Sequence, residues 1–406
     1  MLGGVTAGLQ HPTAPPVEGA PRVGARVPGG VLLVAVLLIA LNLRIGITSL
    51  GALLDRLQDG GMSAGVAAFL TSLPVLCFAA VGAAGMTLAR RVGVHRGVAV
   101  ALALLVVGLL ARVLEGPTVL VAGTFVACSG IALANILLPA VVKEHFPTRV
   151  GRVTGAYTAV LSVGAAVGAA ATVPVTDVTG SWRAGLGVWA LLAVAALAAW
   201  LPWCRDPDRA RGGDRGAGLW RNPVAWAVTA VFGIQSVFAY VVMSWLPSIY
   251  ADAGFSDAHA GLLLAVSILV GVPVYFVAPS LAIRLGAQGH LIAVLSAMMA
   301  LSFLGLWWAP VGGALVWAVL LGVGGAVFPV SLTMFALRTR TASDTAALSA
   351  MAQSVGYLFA AVGPFVVGLL SEATGSWALP CGLLAALALV QVAAGYVAGR
   401  PVVIGR

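Results

Sequence analysis

The chain has 406 residues, of which 61% are hydrophobic and 9% charged, with a formal net charge of +9. An ordinary soluble domain carries about 25% charged residues, so a water-soluble globule is excluded and a polytopic membrane protein is indicated. The basic residues are spread over short intervals between apolar runs, a distribution that argues against a nucleic-acid-binding surface.

Residues 1–30 are rich in Pro and Gly, lack a long apolar run and are expected to form a disordered tail. The first apolar stretch is too long for a signal peptide and has no small-residue cleavage site. Beyond it, apolar runs of about 20 residues, the length that crosses a bilayer as helix, recur along the chain. Twelve segments are predicted, near 31–54, 64–89, 97–114, 118–142, 151–175, 183–203, 223–249, 259–283, 290–308, 313–337, 345–371 and 377–399. They are too long and too continuously apolar for barrel strands, so the expected fold is an all-α membrane protein.

Segment 1 carries Arg44 near its middle, flanked by Asn42 and, one turn on, Thr48. Arg stays protonated, and at a bilayer centre it costs about 2.5–3.5 kcal/mol on insertion scales. It must therefore face an anion or strong acceptors. Arg44 contacts substrate, serves as a structural bolt held by backbone carbonyls and Asn42, or takes part in gating. At the end of segment 3, Arg112 is expected to reach toward water or to pair with Glu115. Further polar side chains near mid-membrane are Asn135 in segment 4, Gln235 and Tyr240 in segment 7, and Gln353 and Tyr357 in segment 11. Each must find a partner that lipid does not supply, either in a substrate site or between helices.

Absences constrain the chemistry. No Asp or Glu lies at mid-membrane in any segment, and His11, His95, His145, His259 and His290 fall in loops, termini or helix ends. A carboxylate proton relay is not visible, which leaves facilitated diffusion, exchange, or a proton carried on a weakly acidic substrate. Intramembrane hydrolysis lacks a nucleophile with its base, so no enzyme activity, cofactor or metal is expected. Cys77, Cys128, Cys204 and Cys381 are scattered without paired spacing and read as packing residues.

The polar interval 204–222 divides the chain into 31–203 and 223–399, with 400–406 as a C-terminal tail. The two parts echo each other. Gly180-Ser181-Trp182 matches Gly375-Ser376-Trp377 at an offset of 195 residues, and Gly168 has its counterpart at Gly363. The stretch opening segment 2 at Ser63 matches that opening segment 8 at Ser256, offset by 193. Repeats of this kind imply two pseudo-symmetric six-helix bundles with a site between them. With the N-terminus inside, 18 of the 22 Lys and Arg lie in or beside cytoplasmic segments, which predicts an inner-membrane protein with both termini cytoplasmic.

The interval Leu88-Ala89-Arg90-Arg91-Val92-Gly93-Val94-His95-Arg96 resembles a degenerate loop 2–3 motif of the major facilitator superfamily, with Arg90 where most members carry an acid. A narrower resemblance spans nearly the whole chain. Asn42-Leu43-Arg44 with Thr48-Ser49, Leu73-Pro74-Val75, Gly130 to Asn135 with Leu138-Pro139, Trp245-Leu246-Pro247, Gly324 to Pro329 and Gln353-Ser354-Val355-Gly356 together resemble the cyanate transporter family, which includes 2-nitroimidazole transporters. Ile45 departs from it, since members commonly place a proline after the Arg. The resemblance implies alternating access, with segments 1, 4, 7 and 10 lining a cavity and 5, 8 and 11 beside it.

The expected function is secondary transport of a small anion or weak acid, cyanate-like, with the small molecule and the lipid bilayer as partners and a monomer as the default assembly. The alternative is export of nitroimidazole-like or other small drug-like compounds, in which Arg44 would hydrogen-bond a nitro group and Tyr357 and Phe328 would stack on the ring. The expected substrate contacts are Arg44, Asn42, Thr48, Asn135, Gln235, Tyr240, Gln353 and Tyr357.

Overall fold

The computed structural model describes residues 29–205, 218–286 and 288–404. Most of the expected tail 1–30, the middle of the interval 204–222, the last two residues and the Arg90 side chain lie outside the described residues. The helices are α1 (Gly29–Gly51), α2 (Ala64–Val92), α3 (Val94–Ala111), α4 (Pro117–His145), α5 (Val150–Thr179), α6 (Trp182–Trp200), α7 (Pro223–Asp252), α8 (Asp257–Leu285), α9 (Gln288–Trp308), α10 in two pieces (Ala314–Gly324 and Val327–Leu337), α11 (Ala342–Thr374) and α12 (Ala378–Ala398). Among the described residues 11 are long and apolar enough to cross a membrane, and α2 contributes a shorter apolar run, Gly65–Val81. α1 stops at Gly51, short of the expected 54, and a separate short helix, Leu54–Asp59, follows it.

The repeats noticed in the sequence are helix-terminating devices. Gly180 and Gly375 end α5 and α11 at φ 65° and 60°, a left-handed conformation that costs glycine nothing. Ser63 and Ser256 each accept a backbone N–H at 3.4 Å, from Val66 and His259, where α2 and α8 begin. Packing repeats as well: α5 lies on α1 and α11 on α7. Gly164 meets the Leu41 carbonyl, and Gly363 meets Val237. Small residues let such helices approach closely in lipid, where no hydrophobic force drives them together.

The two halves meet through α2 with α11 and α5 with α8. A Cβ at Gly155 would collide with the Phe276 carbonyl, so glycine sets the approach of α5 to α8. Near the face where α6 ends and α7 begins, called here the linker face, Lys143 at the end of α4 donates to the carbonyls of Ala336 in α10 at 2.7 Å and of Thr339 just beyond it at 3.0 Å. A cation at the carbonyl end of a helix is favoured by the helix dipole. This bridge joins the halves on the linker face.

Arg112 departs furthest from expectation. It neither reaches water nor pairs with Glu115; it is fully buried. Its Nη1 donates to the Gly46 carbonyl at 2.8 Å, and its Nη2 donates to Ser49 Oγ at 3.1 Å and the Leu186 carbonyl at 3.3 Å. It ties α3 to α1 and α6. Helical side chains lean toward the helix N-terminus, so an Arg at the C-terminal end of α3 is directed back into the bundle.

Candidate functional site

α1 places Arg44 on its inner course, where the side chain stays partly exposed. Among the described residues its guanidinium makes no hydrogen bond or ion pair. Tyr240 on α7, Tyr275 on α8 and Tyr357 on α11 lie within electrostatic range of it. The structure therefore brings one cation of the first half within electrostatic reach of three hydroxyls of the second. Tyr157 on α5 is near enough to Tyr357 to interact with it, and its buried hydroxyl has no hydrogen-bond partner among the described residues. A buried hydroxyl left without a partner costs about 1–3 kcal/mol, so Tyr157 offers an unsatisfied donor.

Aromatic rings continue this site. Phe78 of α2 stacks on Tyr357 of α11 at 4.5 Å, across the two halves. Tyr357 also meets Phe232 edge-on at 5.3 Å and Tyr240 at 6.4 Å, and Phe232 touches Phe328 at 5.7 Å. Phe328 opens the second piece of α10 beside the interruption at Gly325 and Ala326, and like Tyr240 and Tyr275 it is partly exposed. The Tyr275 hydroxyl packs against Gly325, where a side chain would collide with it.

The remaining sequence candidates divide. Gln353 donates to Ser349 Oγ at 2.8 Å and to the Asn135 carbonyl at 3.1 Å, linking α11 to α4 between the halves. Asn135 donates to the Ile131 carbonyl at 3.2 Å and stays partly exposed. Three others sit elsewhere. Asn42 is buried and donates to the carbonyls of Leu38 at 2.8 Å and Leu192 at 3.2 Å, so it fastens α1 to α6. Thr48 donates to the Arg44 carbonyl at 3.1 Å and packs on Gly168 of α5. Gln235 accepts from Gln391 at 3.3 Å; Gln391 also accepts from Ser296 at 2.8 Å, which closes a buried network among α7, α12 and α9. These side chains spend their hydrogen bonds on helix packing because lipid offers none.

The sequence candidates omitted Tyr157 and Tyr275. Both are tyrosines within apolar helices, and a hydroxyl at such depth is the signal that would have found them. The cysteines are free, and the Cys77 thiol of α2 donates to the Phe125 carbonyl of α4 at 3.7 Å, an approach that its sequence position does not suggest. A separate apolar crevice of about 530 Å³ lies between α7, α11 and α12, lined by Trp226, Val237, Phe359, Val362 and Leu383. It contains neither Arg44 nor the tyrosines, and its lining suits an acyl chain.

Residues 32–364 match the sequence model described as "Major Facilitator Superfamily". The chain belongs to the major facilitator superfamily. It is 37% identical over 376 residues to the "2-nitroimidazole transporter" of Escherichia coli (strain K12), covering 91% of this chain and 95% of that protein. It is 31% identical over 351 residues to the "Cyanate transport protein CynX" of the same organism, covering 85% and 91%. In fold it is similar to the proton:xylose symporter XylE, with a TM-score of 0.75 over 90% of this chain and 94% of that one at 12% identity. As a superfamily member it is a multi-pass secondary transporter and not an enzyme.

Proposed function

We propose that this transporter carries a small planar compound presenting a paired-oxygen group, of the 2-nitroimidazole class, through a site formed by Arg44, Tyr157, Tyr240, Tyr275 and Tyr357. The observation that carries this is the Arg44 guanidinium, without a hydrogen bond or ion pair among the described residues, within electrostatic range of a run of aromatic rings drawn from both halves. A planar fork donates two parallel hydrogen bonds to a nitro or carboxylate group, and ring faces stack on a heterocycle. Asn135 and Gln353 lie at the joint between the halves, where they complete the shell; Asn42, Thr48 and Gln235 support the helices around it. The relative at 37% identity carries the same substrate class in its name.

A small inorganic anion such as cyanate is the second reading. It is favoured by the absence of a mid-membrane carboxylate to balance Arg44 and by the relative at 31% identity. In either case the two halves rock about this site, and the Lys143 bridge to α10 opens and closes the linker face. The distribution of Lys and Arg puts that face and both termini in the cytoplasm, in the inner membrane. The architecture needs no second subunit to form the site.

The test is binding by the purified full-length protein in detergent and uptake in proteoliposomes, for 2-nitroimidazole and for labelled cyanate, each with the other as competitor. Saturable 2-nitroimidazole binding that is lost in Arg44→Gln supports the first reading. Arg44-dependent cyanate uptake that 2-nitroimidazole does not inhibit moves the assignment to the second. Transport of both compounds at wild-type rates by Arg44→Gln overturns the site.

A further inference from the structure

We propose that His95, Glu144 and His145 form a binding site for a transition metal of the zinc class on the linker face, well apart from Arg44. His95 lies in the first turn of α3, and Glu144 and His145 lie in the last turn of α4. The two imidazoles meet edge to face, and their Nε2 atoms are 2.6 Å apart. With a Glu144 carboxylate oxygen, the three donor atoms all lie within 4.8 Å of one another. The sequence hides this cluster, because His95 is 50 residues from His145 and only the pairing of α3 with α4 brings them together.

The site is held from behind. The Trp200 ring lies parallel to the His95 imidazole at 5.9 Å, and its indole N–H donates to the His95 carbonyl at 2.9 Å. The Cys204 thiol lies 3.8 Å from the same carbonyl. His95 is 3% exposed, so its ring is fixed by packing and not by solvent. Two imidazole nitrogens and one carboxylate form the three-ligand set that zinc uses when its fourth position is left to water. Magnesium and calcium prefer all-oxygen shells, so this donor set discriminates against them.

Distances fix what binding requires. Two nitrogens on one zinc at about 2.0–2.1 Å in tetrahedral geometry stand about 3.3 Å apart. The imidazoles must therefore part by about 0.7 Å, a side-chain movement that leaves both helices in place. At 2.6 Å one Nε2 donates its proton to the lone pair of the other. The metal takes that proton's position, and the proton leaves to solvent. Lys143 precedes this pair in the chain, so a metal here stiffens the turn of α4 that bridges to Ala336 and Thr339.

The experiment is Co²⁺ titration of the full-length protein, purified without a polyhistidine tag, and followed by the visible d–d absorption of four-coordinate cobalt. The expected result is one Co²⁺ per chain with intense tetrahedral bands, displaced by Zn²⁺. His95→Gln and His145→Gln should lose the bands while melting like wild type, and His259→Gln, at the far face, should keep them. Glu144→Gln is a milder change that preserves shape, and it should weaken binding by at least about tenfold. Bands that persist in His95→Gln and His145→Gln overturn the proposal. So does a wild-type spectrum showing only weak six-coordinate cobalt, which would leave the two imidazoles as a proton-sharing pair. Transport is not the readout, so failure of the substrate assignment does not affect this test.

Discussion

Two arginines occupy the apolar interior of the first half, and they have opposite surroundings. Arg112 is fully buried, and its two terminal guanidinium nitrogens donate to three acceptors on α1 and α6. Arg44 is partly exposed, its guanidinium makes no hydrogen bond among the described residues, and it lies within electrostatic range of tyrosines of the other half. Each is a permanent cation within an apolar helix, and the desolvation it suffers, larger for the fully buried Arg112, must be offset by acceptors. At Arg112 the protein supplies the compensation permanently and gains a joint between helices. At Arg44 no acceptor among the described residues supplies it, which is why the proposed site is centred there. A cation deep in a membrane protein is informative only once its acceptors are known.

Substitutions at the two arginines and around them test this contrast. The largest effect is expected for Arg112→Ala, which removes three interhelical hydrogen bonds at about 0.6–1.7 kcal/mol each, or about 2–5 kcal/mol in all. Thermal unfolding in detergent should show a marked fall in Tm and yield. Next comes Arg44→Gln, where loss of a charged donor costs about 1.5–3 kcal/mol of substrate affinity, roughly 10–100-fold. Its Tm should stay at or above that of wild type, because no protein acceptor loses its partner. If Arg44→Gln melted like Arg112→Ala, the distinction between bolt and site would collapse.

Smaller changes refine the boundary. Asn42→Leu should cost about 1 kcal/mol of stability through the lost tie to Leu192, while each folded molecule binds substrate normally. A selective loss of affinity there would return Asn42 to the site. Tyr157→Phe removes an unpaired hydroxyl, so its Tm should hold or rise while affinity falls by about threefold to tenfold. Unchanged affinity in calorimetry would take Tyr157 out of the site. Smallest of all is Arg56→Ala: the Arg56 pair with Asp177, at 2.5 Å, is solvent-exposed, and neither Tm nor binding should move measurably.

Why some positions were legible and others were not follows from the reach of each signal. Helix lengths, caps and the Gly-Ser-Trp repeat are local, and the helices begin and end close to the expected residues because bilayer thickness and glycine conformation act on the chain itself. Asn42 and Gln235 looked like Arg44 in sequence, since any polar residue in an apolar run raises the same question. Their answers lie on other helices, at Leu192 and Gln391. Tyr275 was hidden for the converse reason: a tyrosine in an apolar run reads as packing until a cation is found near it.

The sequence by itself determined that the chain crosses a membrane as helices, that it is built from two related halves, and that Arg44 needs an anionic or strongly accepting partner, because transfer energies and helix geometry depend on local composition. Tertiary structure alone decided which of the buried polar groups are already satisfied. Hydrogen bonds between helices join residues as far as 218 positions apart, as Gln353 and Asn135 are, and their pairing is set by how the helices pack. Packing therefore separated Arg112, which is tied to three acceptors, from Arg44, which has none among the described residues.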